Sequence, residues 1–243
     1  MLPDRPVLRI LPGFFLFIGA VAAQDVRVES SADAGAHQGR IQAVVERPFE
    51  LVAAALSQPA NWCEILTLQV NIKRCQVAGG GTLTAFVTRK PRDPVESARG
   101  VQFRFQPASS RAGQLHVEIG AQSGPMGTRD YRIVVDAAPL DASRTTLRMS
   151  YAYTLGWAAR MAMDAYLAGA GRDKRGFTVD GGERAIAERG AMRHYLAIEA
   201  YLGSQQELEP RLRNWYAAIE RYPQLREAVS AEEYVEMKRR EAG

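Results

Sequence analysis

The sequence predicts an α+β fold, an antiparallel sheet with one buried face covered by helices. Between Leu68 and Leu155 apolar residues recur at every second position in short runs separated by turn residues. On either side of that region the apolar spacing steps by three and four instead. Short connections between the alternating runs favour antiparallel hairpins over crossovers.

The N-terminus sets an expected compartment. Met1 to Arg9 carries Arg5 and Arg9 against Asp4, Ile10 to Ala20 is apolar apart from Pro12 and Gly13, and Ala20-Val21-Ala22 supplies a small-x-small exit. This is the pattern of a cleavable signal peptide over residues 1–22, cut after Ala22 or Ala23. The apolar stretch is shorter than the roughly 20 residues that span a bilayer. The mature chain is therefore expected in the periplasm or outside the cell. Its net charge falls from +4 to +3 with the leader removed, which argues for neither nucleic acid nor strong membrane-surface attraction. The two cysteines, Cys63 and Cys75, are most simply a disulfide in an oxidising compartment. That pairing requires a helical Cys63 and a strand-borne Cys75 to bring their Cα atoms within about 7 Å.

Residues 23–38 are rich in Ser, Ala, Asp and Gly without periodicity and read as a poorly ordered leader. Gly39 to Arg47 reads as a strand, Phe49 to Ser57 as a helix opened by Pro48, and Ala60 to Leu66 as a second helix carrying Trp62. Strands are expected over 68–73, 82–89, 101–106, 115–119, 131–135 and 147–155, with turns at 79–81, 91–94, 109–113, 124–127 and 139–143. Helical spacing resumes over 157–168, and after a polar linker at 172–182 it continues from Arg184 to Leu202. Leu208, Leu212, Trp215, Ile219 and Tyr222 then form the strongest stripe in the chain. Ser204 to Glu207 and Ser230 to Glu233 both have the capping-box pattern of a helix start.

Catalytic signals are sparse. His37, His116 and His194 lie far apart and read as surface histidines rather than ligands, so no metal is expected. No cofactor motif occurs. Gly79-Gly80-Gly81-Thr82 joins two strand-like runs and reads as a hairpin turn, not a phosphate loop. His116 and Glu118 fall on the outward face of their strand, and Asp130, Asp136 and Asp164 have no evident partner. No catalytic set can be assembled, and the reading leans away from an enzyme. Arg172-Asp173-Lys174-Arg175 reads as solvated linker charge that allows a peripheral membrane or envelope-protein contact.

Val44-Val45-Glu46-Arg47-Pro48-Phe49-Glu50-Leu51-Val52-Ala53-Ala54-Ala55-Leu56, followed by Pro59-Ala60-Asn61-Trp62, resembles the opening of the START-like (SRPBCC) helix-grip superfamily, with Gly79 to Thr82 where that family has a glycine-containing hairpin. The superfamily includes polyketide cyclase-type and pollen-allergen-type proteins, and the resemblance covers about residues 39–170. It implies a curved sheet gripping a helix across a hydrophobic cavity, over residues 39–180, with residues 181–243 a C-terminal helical extension. The gripping helix would be Trp157 to Ala168, filled or extended by Arg184 to Leu202. The cavity would be lined by Trp62, Phe103, Phe105, Val117, Ile133, Tyr151, Tyr153, Trp157 and Met161. The expected function is an exported bacterial carrier of an apolar small molecule or lipid. A cyclase or dehydratase of the same fold would need two ionisable groups converging in the cavity. An envelope interaction protein would instead dock a partner through Leu212, Trp215 and Ile219, and would fail if that stripe packs back onto the sheet domain.

Overall fold

The computed structural model describes residues 26–33, 35–111, 113–124 and 127–242. The signal-peptide segment and its cleavage site lie outside the described residues. Eight strands form a single sheet: β1 (Arg27–Asp33), β2 (Ala36–Val45), β3 (Ile72–Ala78), β4 (Thr82–Val87), β5 (Arg99–Arg111), β6 (Gln114–Ser123), β7 (Thr128–Pro139) and β8 (Thr145–Leu155). Their order is β1-β2-β8-β7-β6-β5-β4-β3, antiparallel throughout. Strands β3 to β8 are a meander, and β8 pairs back onto β2. Helices α1 (Phe49–Leu56) and α2 (Pro59–Leu66) carry the chain from β2 to β3.

The period-2 pattern puts its apolar members on the concave face. Ile41 lies opposite Met149, Val117 opposite Val135, Ile119 opposite Ile133 and Leu83 opposite Phe103, all buried. Three register shifts interrupt the ladders, one of them between Ile72 and Arg74 in β3. A second falls between Gln106 and Ser109, where Pro107 could not have donated to the ladder. The third falls between Arg129 and Arg132, with Asp130 at φ 51° and its carboxylate accepting from Thr154 Oγ1 at 2.8 Å. The β3–β4 connection is the expected hairpin, and Gly80 and Gly81 take φ 72° and 75° there.

Helix α3 (Trp157–Ala168) follows β8, and α4 (Gly182–Gly203) lies across the concave face against β1, β2 and β8. Helices α5 (Leu208–Glu220) and α6 (Ala231–Ala242) pack behind α4 and along β3. The architecture is the helix grip, and the gripping helix is α4, not α3. Residues 182–203 therefore belong with the sheet, and only α5 and α6 form an extension. Residues 27–33, expected as leader, add an edge strand to β2, because a chain turning at Gly35 completes the ladder of β2. Leu68 and Val70, expected in a strand, are buried in the turn before β3. Ser204 ends α4 rather than capping α5, whose N-cap is Glu207. Ser230 does cap α6, its Oγ accepting from Glu233 N at 3.2 Å.

The stripe of Leu212, Trp215 and Ile219 is 1 %, 0 % and 0 % exposed, inside the main core. It packs back onto α4 and α6, which removes it as a docking surface. Trp215 donates to Arg193 O at 3.3 Å, and Tyr234 donates to Leu68 O at 2.8 Å. Glu241 accepts from Lys73 at 2.7 Å and from Lys238 at 3.1 Å, all three buried. Leaving two ammonium groups buried without that carboxylate would be strongly unfavourable.

Cys63 and Cys75 are disulfide-bonded, with Cα atoms 5.2 Å apart and a separation of 12 residues. The last turn of α2 is thereby stapled to the middle of β3. A loop of this length is expected to contribute about 3 kcal/mol. The Cys63→Ser, Cys75→Ser double variant should lose about that much in denaturant unfolding, with the fold intact by circular dichroism. An unchanged midpoint would show that the staple contributes nothing.

Candidate functional site

A space of about 190 Å³ lies between the sheet and the middle of α4. Val101 and Phe103 from β5, Ile133 from β7, Val87 at the end of β4, and Leu66 and Ile72 from either side of the α2–β3 turn make its apolar wall. Tyr131 of β7, Tyr151 of β8, Gln69, Asn71, and Arg193 and His194 of α4 add polar groups. Gly190 is also in the wall, and a Cβ there would lie 2.6 Å from the Tyr151 ring. The absent side chain is what lets the ring lie against α4.

The polar groups are arranged, not scattered. The rings of Tyr131 and Tyr151 are 5.9 Å apart, and Tyr151 stacks on His194 at 4.8 Å. Gly190 O accepts at 2.8 Å from His194 Nδ1, so Nδ1 carries the proton and Nε2 is left with its lone pair. Burial pushes this imidazole down to about 4, with Arg193 adding to the effect and the Gly190 hydrogen bond opposing it. Burial, and then the neighbouring Tyr131 and Tyr153 phenols, raise Tyr151 well above the usual tyrosine range. Both groups are neutral near pH 7. Arg193 turns its guanidinium away, donating to Glu227 at 2.9 Å and to Leu225 O at 3.0 Å. Gln69 is held by Arg193 O at 3.3 Å.

Of the residues expected to line a cavity, Phe103, Ile133 and Tyr151 do so. Trp62, Phe105 and Val117 are packed core, and Trp62 donates to Leu56 O at 2.8 Å to lock α2 onto α1. Tyr153 lies in a second, smaller cluster. There its ring is 5.5 Å from buried His37, whose Nε2 is 2.9 Å from Glu183. Trp157 and Met161 are 79 % and 55 % exposed on α3 and line nothing inside. They were expected in the wall because α3 was taken as the gripping helix. Two histidines expected at the surface are interior: His37 is buried and His194 faces the cavity. Only His116 is on the outer face, paired with Asp136 at 2.7 Å across β6 and β7, while Glu118 takes both arms of Arg132. Sequence reasoning missed Tyr131 and His194 as cavity residues. Tyr131 sits beside the Asp130 bulge, and His194 lies on α4. Among the described residues no group of three or more His, Cys, Asp or Glu could hold a metal ion.

No family model matches the chain, and no curated protein sequence does. Similar solved structures include norcoclaurine synthase from Thalictrum flavum in complex with dopamine and hydroxybenzaldehyde, at 11 % identity and TM-score 0.41, covering 83 % of this chain and 99 % of that one. Another is Ara h 8.0201, at 13 % identity and TM-score 0.41, covering 70 % and 99 %. A protein from Arthrobacter aurescens has 14 % identity and TM-score 0.39, covering 74 % and 94 %. The assignment of the helix grip rests on this chain's own strand order and on the placement of α4.

The neutral His194 gives an acid sensitivity with a definite sign. Its folded value of about 4 lies below the ordinary 6.5, so between those limits the unfolded chain binds more protons. The stability is present above pH 6.5 and falls as the pH drops to 4, by roughly 3 kcal/mol. Denaturant unfolding at pH 7, 5.5 and 4 should show the loss, and His194→Phe should remove that part of it. A ring titration near 6.5 by NMR would contradict the buried, neutral assignment.

Proposed function

We propose that this chain is an exported binding or carrier protein for an apolar ligand, seated between the sheet and α4. The observation that carries the reading is the cavity of about 190 Å³, with an apolar wall and a few neutral polar tips. Its size limits the occupant. An engineered cavity of about 150 Å³ takes benzene, whereas drug-sized ligands need about 300 Å³ or more. The space therefore suits a single ring or a short stretch of acyl chain, and a whole lipid would require α4 to part from the sheet. His194 Nε2 accepts and the tyrosine phenols donate, which orients one polar substituent on such a ligand. Export to the periplasm or beyond is proposed from the leader pattern, and the Cys63–Cys75 disulfide is in keeping with it.

A cyclase- or dehydratase-like enzyme is the second reading, because His194 and Tyr151 do converge on the cavity. The carrier reading is favoured by their proton affinities. A base near 4 and a phenol raised well above its usual range are both poorly matched to proton transfer near pH 7.

The full-length gene, expressed with its leader in a bacterial host, should yield mature protein in the periplasmic fraction. Native and denaturing mass spectrometry should then differ by a stoichiometric apolar passenger. Indole or toluene should compete with that passenger, and Val101→Phe, which fills the space, should lower its occupancy at least severalfold. Mature protein that arrives empty and takes up neither probe would overturn the reading.

A further inference from the structure

Helix α3 turns an apolar face to solvent. Positions 157, 161 and 165 and positions 158, 162 and 166 run in adjacent lines along a helix. Trp157, Ala158, Met161, Ala162, Ala165 and Tyr166 are all exposed there, and Ala159 alone on this helix is buried. At 79 %, 55 % and 39 % exposure, Trp157, Met161 and Tyr166 are among the most exposed large apolar side chains described.

At the C-terminal end of this stripe the chain turns back, Gly171 N donating to Tyr166 O at 2.7 Å, and enters a cleft of about 510 Å³. Lys174, Arg175, Arg189 and Arg226 line it, with Asp173 as its one carboxylate among the described residues. Asp173 faces Arg172 at 3.7 Å, and nearby Glu227 is engaged by Arg193 at 2.7 Å. The guanidinium of Arg189, a residue 8 % exposed, has no hydrogen bond or ion pair among the described residues. Charged groups so deeply placed are ordinarily paired. Burial first, and then Arg193, lowers Arg189 to about 10; burial, then Arg189 and Arg193, lowers Lys174, and Glu227 opposes both shifts. Four cations thus share one lining carboxylate, Asp173, with Glu227 already engaged by Arg193.

We propose that α3 and this cleft form one docking surface for an anionic lipid bilayer, the stripe lying in the interfacial region and the cations taking lipid phosphates. The two features adjoin, since the Tyr166 ring lies against Gly171, between cleft residues Ala170 and Asp173. A tryptophan and a tyrosine at opposite ends of a short apolar face suit the depth of lipid headgroups. Guanidinium and ammonium groups suit phosphate oxygens. An acidic protein partner would match the cations, but it would leave unexplained an apolar face made largely of alanine, which offers little to a shape-specific pocket.

The mature protein supplies its own probe. Of its three tryptophans, Trp62 and Trp215 are fully buried, so Trp157 alone reports a change of surroundings at the surface. Vesicles of phosphatidylcholine mixed with phosphatidylglycerol should sediment the protein and shift its emission to the blue, and added salt should reverse both. Vesicles of phosphatidylcholine alone should do neither. The exposed pair Arg175→Glu, Arg226→Glu should weaken partitioning about tenfold or more. Trp157→Ala should weaken it about tenfold, and Trp157→Phe should restore most of it, with thermal unfolding unchanged in each. No sedimentation at low salt, equal binding to both vesicles, or indifference to the substitutions would overturn the proposal. Binding to an acidic protein but not to vesicles would do so as well.

Discussion

The close approach of α4 to β2 is the contact on which the rest of the molecule depends. A Cβ at Gly39 would lie 2.4 Å from Ala187 O and 2.9 Å from the Ala191 methyl. The strand and helix are therefore in backbone contact at that point, and only a glycine opposite two alanines permits it. The helix is thus held low over β1, β2 and β8 and stands away from the sheet toward β4 and β5. Between α4 and β5, β7 and β8 the gap is bounded by larger groups, Phe103, Tyr131 and Tyr151, and it is left partly unfilled. The cavity is the open end of a wedge whose closed end is Gly39. Glu188, one position along, fixes the wedge from outside. Its carboxylate accepts from the N–H groups of Phe177 and Thr178, at 2.5 and 2.9 Å, and from Ser30 Oγ at 2.6 Å. Those bonds hold the carboxyl below its usual range despite its burial.

The C-terminal helices make this arrangement rigid from behind. Helix α4 is buried on most of its circumference, by the sheet on one side and by α5 on the other. Trp215 bonds to the carbonyl of Arg193, one residue before His194. Arg193 in turn spans to Glu227 and Leu225. The position of His194 is therefore set in part by Trp215, Leu225 and Glu227, which do not line the cavity. The burial of Lys73, Lys238 and Glu241 anchors α6 to β3 and closes that frame.

Much of this was legible in the sequence, and the parts that were not have physical reasons. Alternation over β4 to β8 marked both the strands and their buried faces, because each has one solvated side. α1, α2 and α3 were legible from spacing and from Pro48 and Pro59. The role of α4 was not. Five of its buried residues are alanines, Ala185, Ala187, Ala191, Ala197 and Ala200, and alanine says little about which side of a helix is covered. A helix enclosed on most sides shows a weak stripe, while the surface-lying α5 shows a strong one. His194 was misread for the same reason, since its burial comes from a sheet 40 residues away in sequence. β1 carries a polar composition because it is an edge strand with one partner, and edge strands need little apolar content.

The exposure of α3 follows from the same competition. Of the helices that follow β8, α4 lies on the concave face. The Gly39 contact requires small residues on the helix that makes it, and Ala187 and Ala191 of α4 supply them. α3 lies at the end of the sheet, where Ala159 packs with Tyr153, Leu155 and Ala187 and against Gly127. Its large apolar side chains are then left outside by geometry, not by a shortage of apolar surface to cover. A chain under no other constraint would be expected to carry polar residues on a helix so placed. That this one carries tryptophan, methionine and tyrosine, next to a cleft where cations outnumber carboxylates, makes the surface a feature with its own physical logic, distinct from that of the cavity.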